Sequence, residues 1–248
     1  MDLRLDGQVA ICTGAAGGIG RATARLLAAE GARVMLVDRD ERVEEVLAEL
    51  PGTGHAAFAC DLRDPAAATE IVARTRAELG APDALAHLAG VMVPCPLEQV
   101  DVAHWDLHQE VNVRGSFLLA RAAADAMAAA GGGRIVLTSS GAWLSGGLPD
   151  RLPYAVSKGA VTTLVRGLAK ALGPRGIAVN GVAPGMVETA MMRDGLAPAT
   201  RAELERATPL GRFGTPEEIA AVIAFLASPA AGFVTGATVA VTGGVVLH

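Results

Sequence analysis

The chain is poor in aromatic residues, in lysine and in cysteine. Phe, Trp and Tyr make up 3% of its 248 residues, so it has few rings on which bases could stack. Net charge is −5 and no Lys/Arg-rich run occurs, which argues against the clustered positive charge of a nucleic-acid groove. The cysteines, Cys12, Cys60 and Cys95, are scattered and form no C-x-x-C. Neither a zinc ribbon nor a disulfide framework is therefore indicated, and they read as buried small apolar residues in a reducing compartment. No apolar signal-peptide run follows Met1 to Asp6, so a cytoplasmic location is expected. Internal repeats, low-complexity linkers and composition shifts are also missing. One domain spanning 1–248 is the expectation.

What the chain has is aliphatic bulk: half of it is apolar by type, enough for a sizeable core. The stretch Ile219 to Leu247 carries no charge, yet Pro229, Gly232, Gly236, Gly243 and Gly244 interrupt it. It reads as a helix with a stripe at Ile219, Val222, Ile223 and Leu226, then a strand from Thr238 to Thr242 buried on both faces, and not as a membrane span.

Strand-like runs alternate with helical patterns: Val9 to Thr13, Val34 to Val37, Ala56 to Cys60, Ala84 to Leu88, Ile135 to Ser139, Ala178 to Val182 and Thr238 to Thr242. Such alternation predicts an α/β fold with a seven-stranded, doubly wound parallel sheet flanked by helices. Between the first two runs Ile19, Ala22, Thr23, Leu26 and Leu27 share a helical face, and Gly31 stands where a helix ends. Long helices are expected from about Val102 to Ala130, stopped by Gly131-Gly132-Gly133, and from near Tyr154 to just before Gly173-Pro174. The segment 186–212 follows a strand's carboxyl end, where ligand loops of open sheets lie, and is the expected substrate lid. Its Met186, Met191, Met192 and Leu196 suit an apolar substrate.

Thr13-Gly14-Ala15-Ala16-Gly17-Gly18-Ile19-Gly20 joins the first strand to the first helix. Glycines there let the backbone turn and approach a ligand, and the helix start offers free N–H groups to a pyrophosphate. In this strand–turn–helix context Gly14, Gly18, Ile19 and Gly20 form the dinucleotide fingerprint of a Rossmann fold. Asp38 ends the second strand, placed to accept the adenosine ribose hydroxyls. That predicts NAD, because a 2′-phosphate beside the carboxylate would cost roughly 1–3 kcal/mol. Arg39 next door softens the preference. Asp61 and Leu62, at the end of the third strand, border the adenine or, for Asp61, cap the next helix.

Tyr154 is the sole tyrosine, and Lys158 is one of two lysines against nineteen arginines. Four residues apart on a helix, the ammonium lies near the phenol and is expected to lower its pKa, as a general base requires. Ser139 and Ser140 end the fifth strand at the same edge of the sheet as the glycine turn.

Together these motifs resemble the short-chain dehydrogenase/reductase family in its compact single-domain form. The likeness runs through Thr13-Gly-x-x-x-Gly-x-Gly20, Asp61-Leu62, Val111-Asn112-Val113, Ser139-Ser140, Tyr154-x-x-x-Lys158, Asn180-x-x-x-Pro184-Gly185 with Thr189, Pro209-Leu210-Gly211-Arg212 and Thr235-Gly236. The resemblance implies that Ser140 donates a hydrogen bond to the substrate oxygen, that Tyr154 exchanges its proton, and that Lys158 holds the nicotinamide ribose. It further implies that Asn112 positions a water leading from Lys158 to solvent, while Ala89, Gly90, Pro184, Gly185, Val187 and Thr189 border the cofactor. A homotetramer acting on a small alcohol or ketone follows from the same likeness. One departure stands out: the family's Asn-Ala-Gly reads Leu88-Ala89-Gly90, which removes the asparagine's hydrogen bonds near the cofactor.

Three other chemistries were weighed. An NADPH-dependent 3-oxoacyl-carrier-protein reductase uses the same site but not Asp38. A non-catalytic NAD sensor has no use for Asn112, Ser140, Tyr154 and Lys158 together. A methyltransferase would not need the Tyr/Lys pair. His104 and His108 have a metal-compatible spacing without a third ligand, so no metal is expected. Trp143 and Leu144 either line the substrate pocket or anchor the loop after Ser140.

Overall fold

The computed structural model describes residues 2–193 and 197–247. Its strands are β1 (Val9–Thr13), β2 (Arg33–Asp38), β3 (Ala56–Ala59), β4 (Ala84–His87), β5 (Gly133–Thr138), β6 (Ile177–Pro184) and β7 (Thr238–Val241). They form one parallel sheet in the order β3-β2-β1-β4-β5-β6-β7. Every strand expected from the sequence is present, within two residues at each end. The helices are α1 (Gly18–Ala29), α2 (Val43–Ala48), α3 (Ala67–Glu78), α4 (Val102–His108), α5 (Ser116–Ala129), α6 (Ala142–Ser145), α7 (Leu152–Leu172), α8 (Ala190–Arg193), α9 (Pro198–Ala207) and α10 (Pro216–Leu226).

Alternate residues of the central strands point to opposite faces, and each face has its own core. Ile11, Met35, Leu85, Ile135 and Val179 pack with Leu119, Ala123 and Met127 of α5 and with Val161 and Val165 of α7. Ala10, Cys12, Leu36, Ala86 and Val136 pack with Ala24 and Leu27 of α1, Val46 of α2 and Ile219, Ile223 and Ala224 of α10. Because β1 and β4 are neighbours although β2 and β3 intervene in sequence, the chain reverses its winding there. That reversal opens a crevice at the carboxyl ends of β1 and β4.

Four details differ from the sequence reading. Strand β7 is only half-buried along its length, because it is the last strand of the sheet. Cys12 is buried, but Cys60 and Cys95 are half-buried, one just past edge strand β3 and the other in the stretch after β4. On α1 the buried face is Gly20, Thr23, Ala24, Leu27 and Ala28, while Ile19 is turned toward the crevice. The helix expected from Val102 to Ala130 is broken in its middle by a π-helical turn, Gln109–Gly115, between α4 and α5. Among the described residues no helix is long and apolar enough to cross a membrane, and Ile219 to Leu226 lies in α10 under the sheet.

Candidate active site

The glycine turn is shaped by close contacts that only glycine permits. Gly14 has φ +69°, and a Cβ there would lie 2.8 Å from the Ala89 nitrogen; one on Gly20 would lie 2.0 Å from the Gly14 oxygen. The Asp38 carboxylate, at the end of β2, accepts the Ala16 N–H at 3.0 Å and the Asp40 N–H at 3.1 Å. It thereby fixes the turn from the side on which a ribose would lie. A cavity of about 380 Å³ runs along this edge, and its lining includes Gly14, Gly18, Ile19, Gly20, Asp38, Asp61, Leu62, Ala89, Gly90 and Thr189. Asp61 lines the cavity but does not cap α3, which starts only at Ala67; its carboxylate takes the Arg63 N–H at 2.9 Å and pairs with the Arg63 guanidinium at 2.6 Å.

A second cavity, of about 400 Å³, adjoins the first and shares Ile19, Leu88, Gly90, Val91, Thr138 and Thr189 with it. Ser140, Tyr154, Lys158, Pro184, Gly185 and Val187 line it. The sequence left the choice between the two serines to family spacing, and geometry separates them. Ser139 is 1% exposed, with its hydroxyl on the Lys158 carbonyl at 2.9 Å and the Thr162 hydroxyl at 2.8 Å, whereas Ser140 faces the cavity and interacts with the Tyr154 phenol.

Lys158 is buried, and its ammonium donates to the Thr138 carbonyl at 2.7 Å. Loss of hydration holds its pKa down at about 8. The expected lowering of the tyrosine by this ammonium is not met. Burial is the largest influence on Tyr154 and pushes its pKa up; the Ser140 hydroxyl and the Arg151 charge act against it, while Lys158 Nζ stands 5.7 Å from the ring centroid.

Asn112 touches neither cavity. It is fully buried in the π-helical turn, where its Oδ1 accepts the Val91 N–H at 2.8 Å and its Nδ2 donates to the Val91 carbonyl at 3.0 Å and to Ser157 Oγ at 2.9 Å. Its Oδ1 and the Lys158 ammonium flank Gly90, each within 3.2 Å of where a Cβ would stand. The glycine leaves room for both polar groups behind the shared wall of the cavities.

A family profile described as enoyl-(acyl carrier protein) reductase matches residues 14–246. The chain is 39% identical to a D-threitol dehydrogenase of Mycolicibacterium smegmatis, over 98% of this chain and 94% of that one. It is 35% identical to an NAD-dependent glycerol dehydrogenase of Listeria innocua, over 98% and 95%. A solved structure of 7α-hydroxysteroid dehydrogenase complexed with NADH and 7-oxo glycochenodeoxycholic acid superposes with a TM-score of 0.92 at 35% identity, covering 100% of this chain and 97% of that one. The chain belongs to the short-chain dehydrogenase/reductase family. It is an oxidoreductase of the alcohol dehydrogenase kind.

In this short-chain dehydrogenase/reductase the turn after β4 is tied to the end of β1. The Thr13 hydroxyl accepts the Leu88 and Ala89 N–H groups, each at 3.2 Å, and bonds His87 Nδ1 at 2.8 Å. Burial holds His87 neutral, with a pKa down at about 3, so one shared proton joins its Nδ1 to the threonine hydroxyl, the donor being set by the imidazole tautomer. Leu88 itself lines both cavities as an apolar wall. His108 is a core residue: Nδ1 faces the His104 carbonyl at 2.9 Å and Nε2 accepts the Val93 N–H. No group of metal-ligating side chains occurs among the described residues.

Trp143 and Leu144 line neither cavity; the Arg166 guanidinium covers the Trp143 ring at 5.9 Å. From the segment 186–212, Met186, Met192 and Leu204 border the second cavity, while Leu196 and the side chain of Met191 lie outside what is described. The segment is not a bare loop. It holds α8 and α9, is pinned where Val187 bridges Gly214, and is tied across by Arg201 pairing with Glu188. Sequence reasoning missed Val91, Met92, Leu148 and Arg151 as lining residues; for Arg151 the signal was its place one helical turn before Tyr154.

Proposed function

We propose that the protein transfers a hydride between NAD(H) and a secondary alcohol or ketone, with Tyr154 as the proton-exchanging residue. The carrying observation is the continuity of the two cavities at Gly90, Thr138 and Thr189, with Ser140 and Tyr154 on the far wall. The glycine-walled groove fits a dinucleotide, because a Cβ on Gly18 would meet Thr189 Cγ2 at 3.1 Å and one on Gly14 would strike Ala89. NAD(H), held there by Gly14, Gly18, Ile19, Gly20, Asp38, Asp61, Leu62, Ala89, Gly90, Pro184, Gly185, Val187 and Thr189, supplies or accepts the hydride.

The chain's own groups hold the substrate and handle the proton. Ser140 donates to the substrate oxygen and orients it; Tyr154 gives that oxygen a proton in reduction and takes one in oxidation. Lys158, a cation below about pH 8, faces the ribose side of the groove, and Asn112 orders the solvent path behind it. Residues 186–212 serve as the lid. Asp38 supports NAD over NADP through repulsion of a 2′-phosphate, while Arg39 in the same lining favours the NADPH-dependent 3-oxoacyl-carrier-protein reductase as the second reading. We further propose a homotetramer, on the support of exposed Phe117 and Val156 on α5 and α7 and exposed Phe233 and Leu247 near the C-terminus.

A screen of secondary alcohols and ketones, read by NADH absorbance, tests the reading. Since burial raises the phenol's pKa, the phenolate fraction grows with pH. Alcohol oxidation should therefore accelerate from about pH 7 to 9, while ketone reduction, which needs the protonated phenol, holds or declines. Absence of turnover across the screen, or an opposite pH trend, would contradict the proposal.

A further inference from the structure

Arg151 is a cation in the substrate cavity whose guanidinium is only weakly partnered. It is 9% exposed and lines that cavity one helical turn before Tyr154. Its backbone starts α7, taking the Leu148 carbonyl at 2.9 Å and receiving the Ala155 N–H at 3.0 Å, but the side chain makes no cap hydrogen bond. Among the described residues the guanidinium's one hydrogen bond is from Nη1 to Met92 Sδ at 3.4 Å. Its Nε is buried without a hydrogen-bond partner; its one ion pair is a loose one, to the half-exposed carboxylate of Asp150 at 3.7 Å, which lies outside the cavity lining. Sulfur is a weak acceptor, and arginine does not escape burial by losing its proton.

The rest of the wall sharpens the contrast. No aspartate or glutamate lines the cavity among the described residues. Leu88, Val91, Met92, Leu148, Met186 and Met192 supply apolar surface beside the hydroxyls of Ser140, Ser145 and Thr189. A buried fork of N–H donors beside apolar walls matches a carboxylate on a short hydrocarbon chain, which can bind two guanidinium N–H groups at once.

Building on the hydride-transfer reading above, we propose that Arg151 anchors a carboxylate of the substrate, so that the favoured alcohol–ketone pair is a hydroxy acid and its oxo acid. The anchor would hold the acid group within one helical turn of the reacting carbon and leave the chain's remainder to the apolar walls. Neutral alcohols of the same size would lack that hold.

Two measurements separate this proposal from the reading it rests on. The first compares kcat/KM for 3-hydroxyhexanoate and 3-hydroxyhexanamide. The ratio of acid to amide should exceed about tenfold in the wild type, fall to near one in Arg151→Met and recover in part in Arg151→Lys. A ratio near one in the wild type, or unchanged in Arg151→Met, overturns the anchor while leaving hydride transfer standing. The second is calorimetric titration of the NADH-loaded protein with hexanoate and with hexanamide, which needs no turnover. Hexanoate should bind more tightly than hexanamide to the wild type and lose that advantage in Arg151→Met, with the variant's melting temperature showing that it is folded. Equal binding of the two by the wild type overturns the proposal even if no hydroxyl compound is oxidised.

Discussion

The Thr13 hydroxyl ties the start of the glycine turn to the end of β4. It accepts two backbone N–H groups from the strand end that borders both cavities and hydrogen-bonds His87 Nδ1. Thr13→Val keeps the shape of the side chain but strips the acceptor, so chemical denaturation should show a loss of about 1–3 kcal/mol, with weaker NADH binding; an unchanged midpoint and affinity would show that the amides find other partners. At this scale the sequence pointed to Tyr154 and Lys158 by their rarity, to Asp38 by its place at a strand end and to Ser140 through the family's spacing, and all four line the cavities. It was a poor guide to Thr13, His87 and Arg151, whose types are ordinary and whose meaning comes from which strand end or cavity wall they share. The direction of the Tyr154 pKa was also illegible, since it depends on how much solvent the fold removes and not on the four-residue spacing to Lys158.

At the scale of elements, hydrophobic periodicity located every strand and both long helices, because buried parallel strands and amphipathic helices leave patterns of fixed period. The π-helical turn at Gln109–Gly115 left no such mark. An extra residue per turn changes hydrogen bonding within the helix without changing which residue types appear, yet it sets where Asn112 points. The glycine turn was legible because its conformation demands a residue type. Gly20→Ala tests that demand: with a Cβ 2.0 Å from the Gly14 oxygen, the variant should lose about 1–3 kcal/mol and bind NADH roughly tenfold more weakly or worse. Wild-type affinity in that variant would mean the turn is more plastic than its contacts indicate. The helices of segment 186–212 and its pinning by the Val187–Gly214 bridge depend on residues far apart in sequence, which is why periodicity gave only its location.

The whole molecule brings two cavities into one crevice at the point where the sheet reverses its winding. On the proposed reading its charges would meet different partners: Asp38 the adenosine end of the cofactor, Lys158 the nicotinamide ribose and Arg151 the substrate. If Asp38 sets cofactor choice, kcat/KM with NAD should exceed that with NADP by about tenfold or more, and Asp38→Asn should narrow the gap; equal values in the wild type would hand the ribose site to Arg39. The central claim, that the sole phenol exchanges the proton for hydride transfer, is tested most directly by Tyr154→Phe. Steady-state turnover in this variant should fall by about a thousandfold, while NADH titration gives a dissociation constant within about threefold of wild type. Turnover that survives the loss of the hydroxyl would contradict the account.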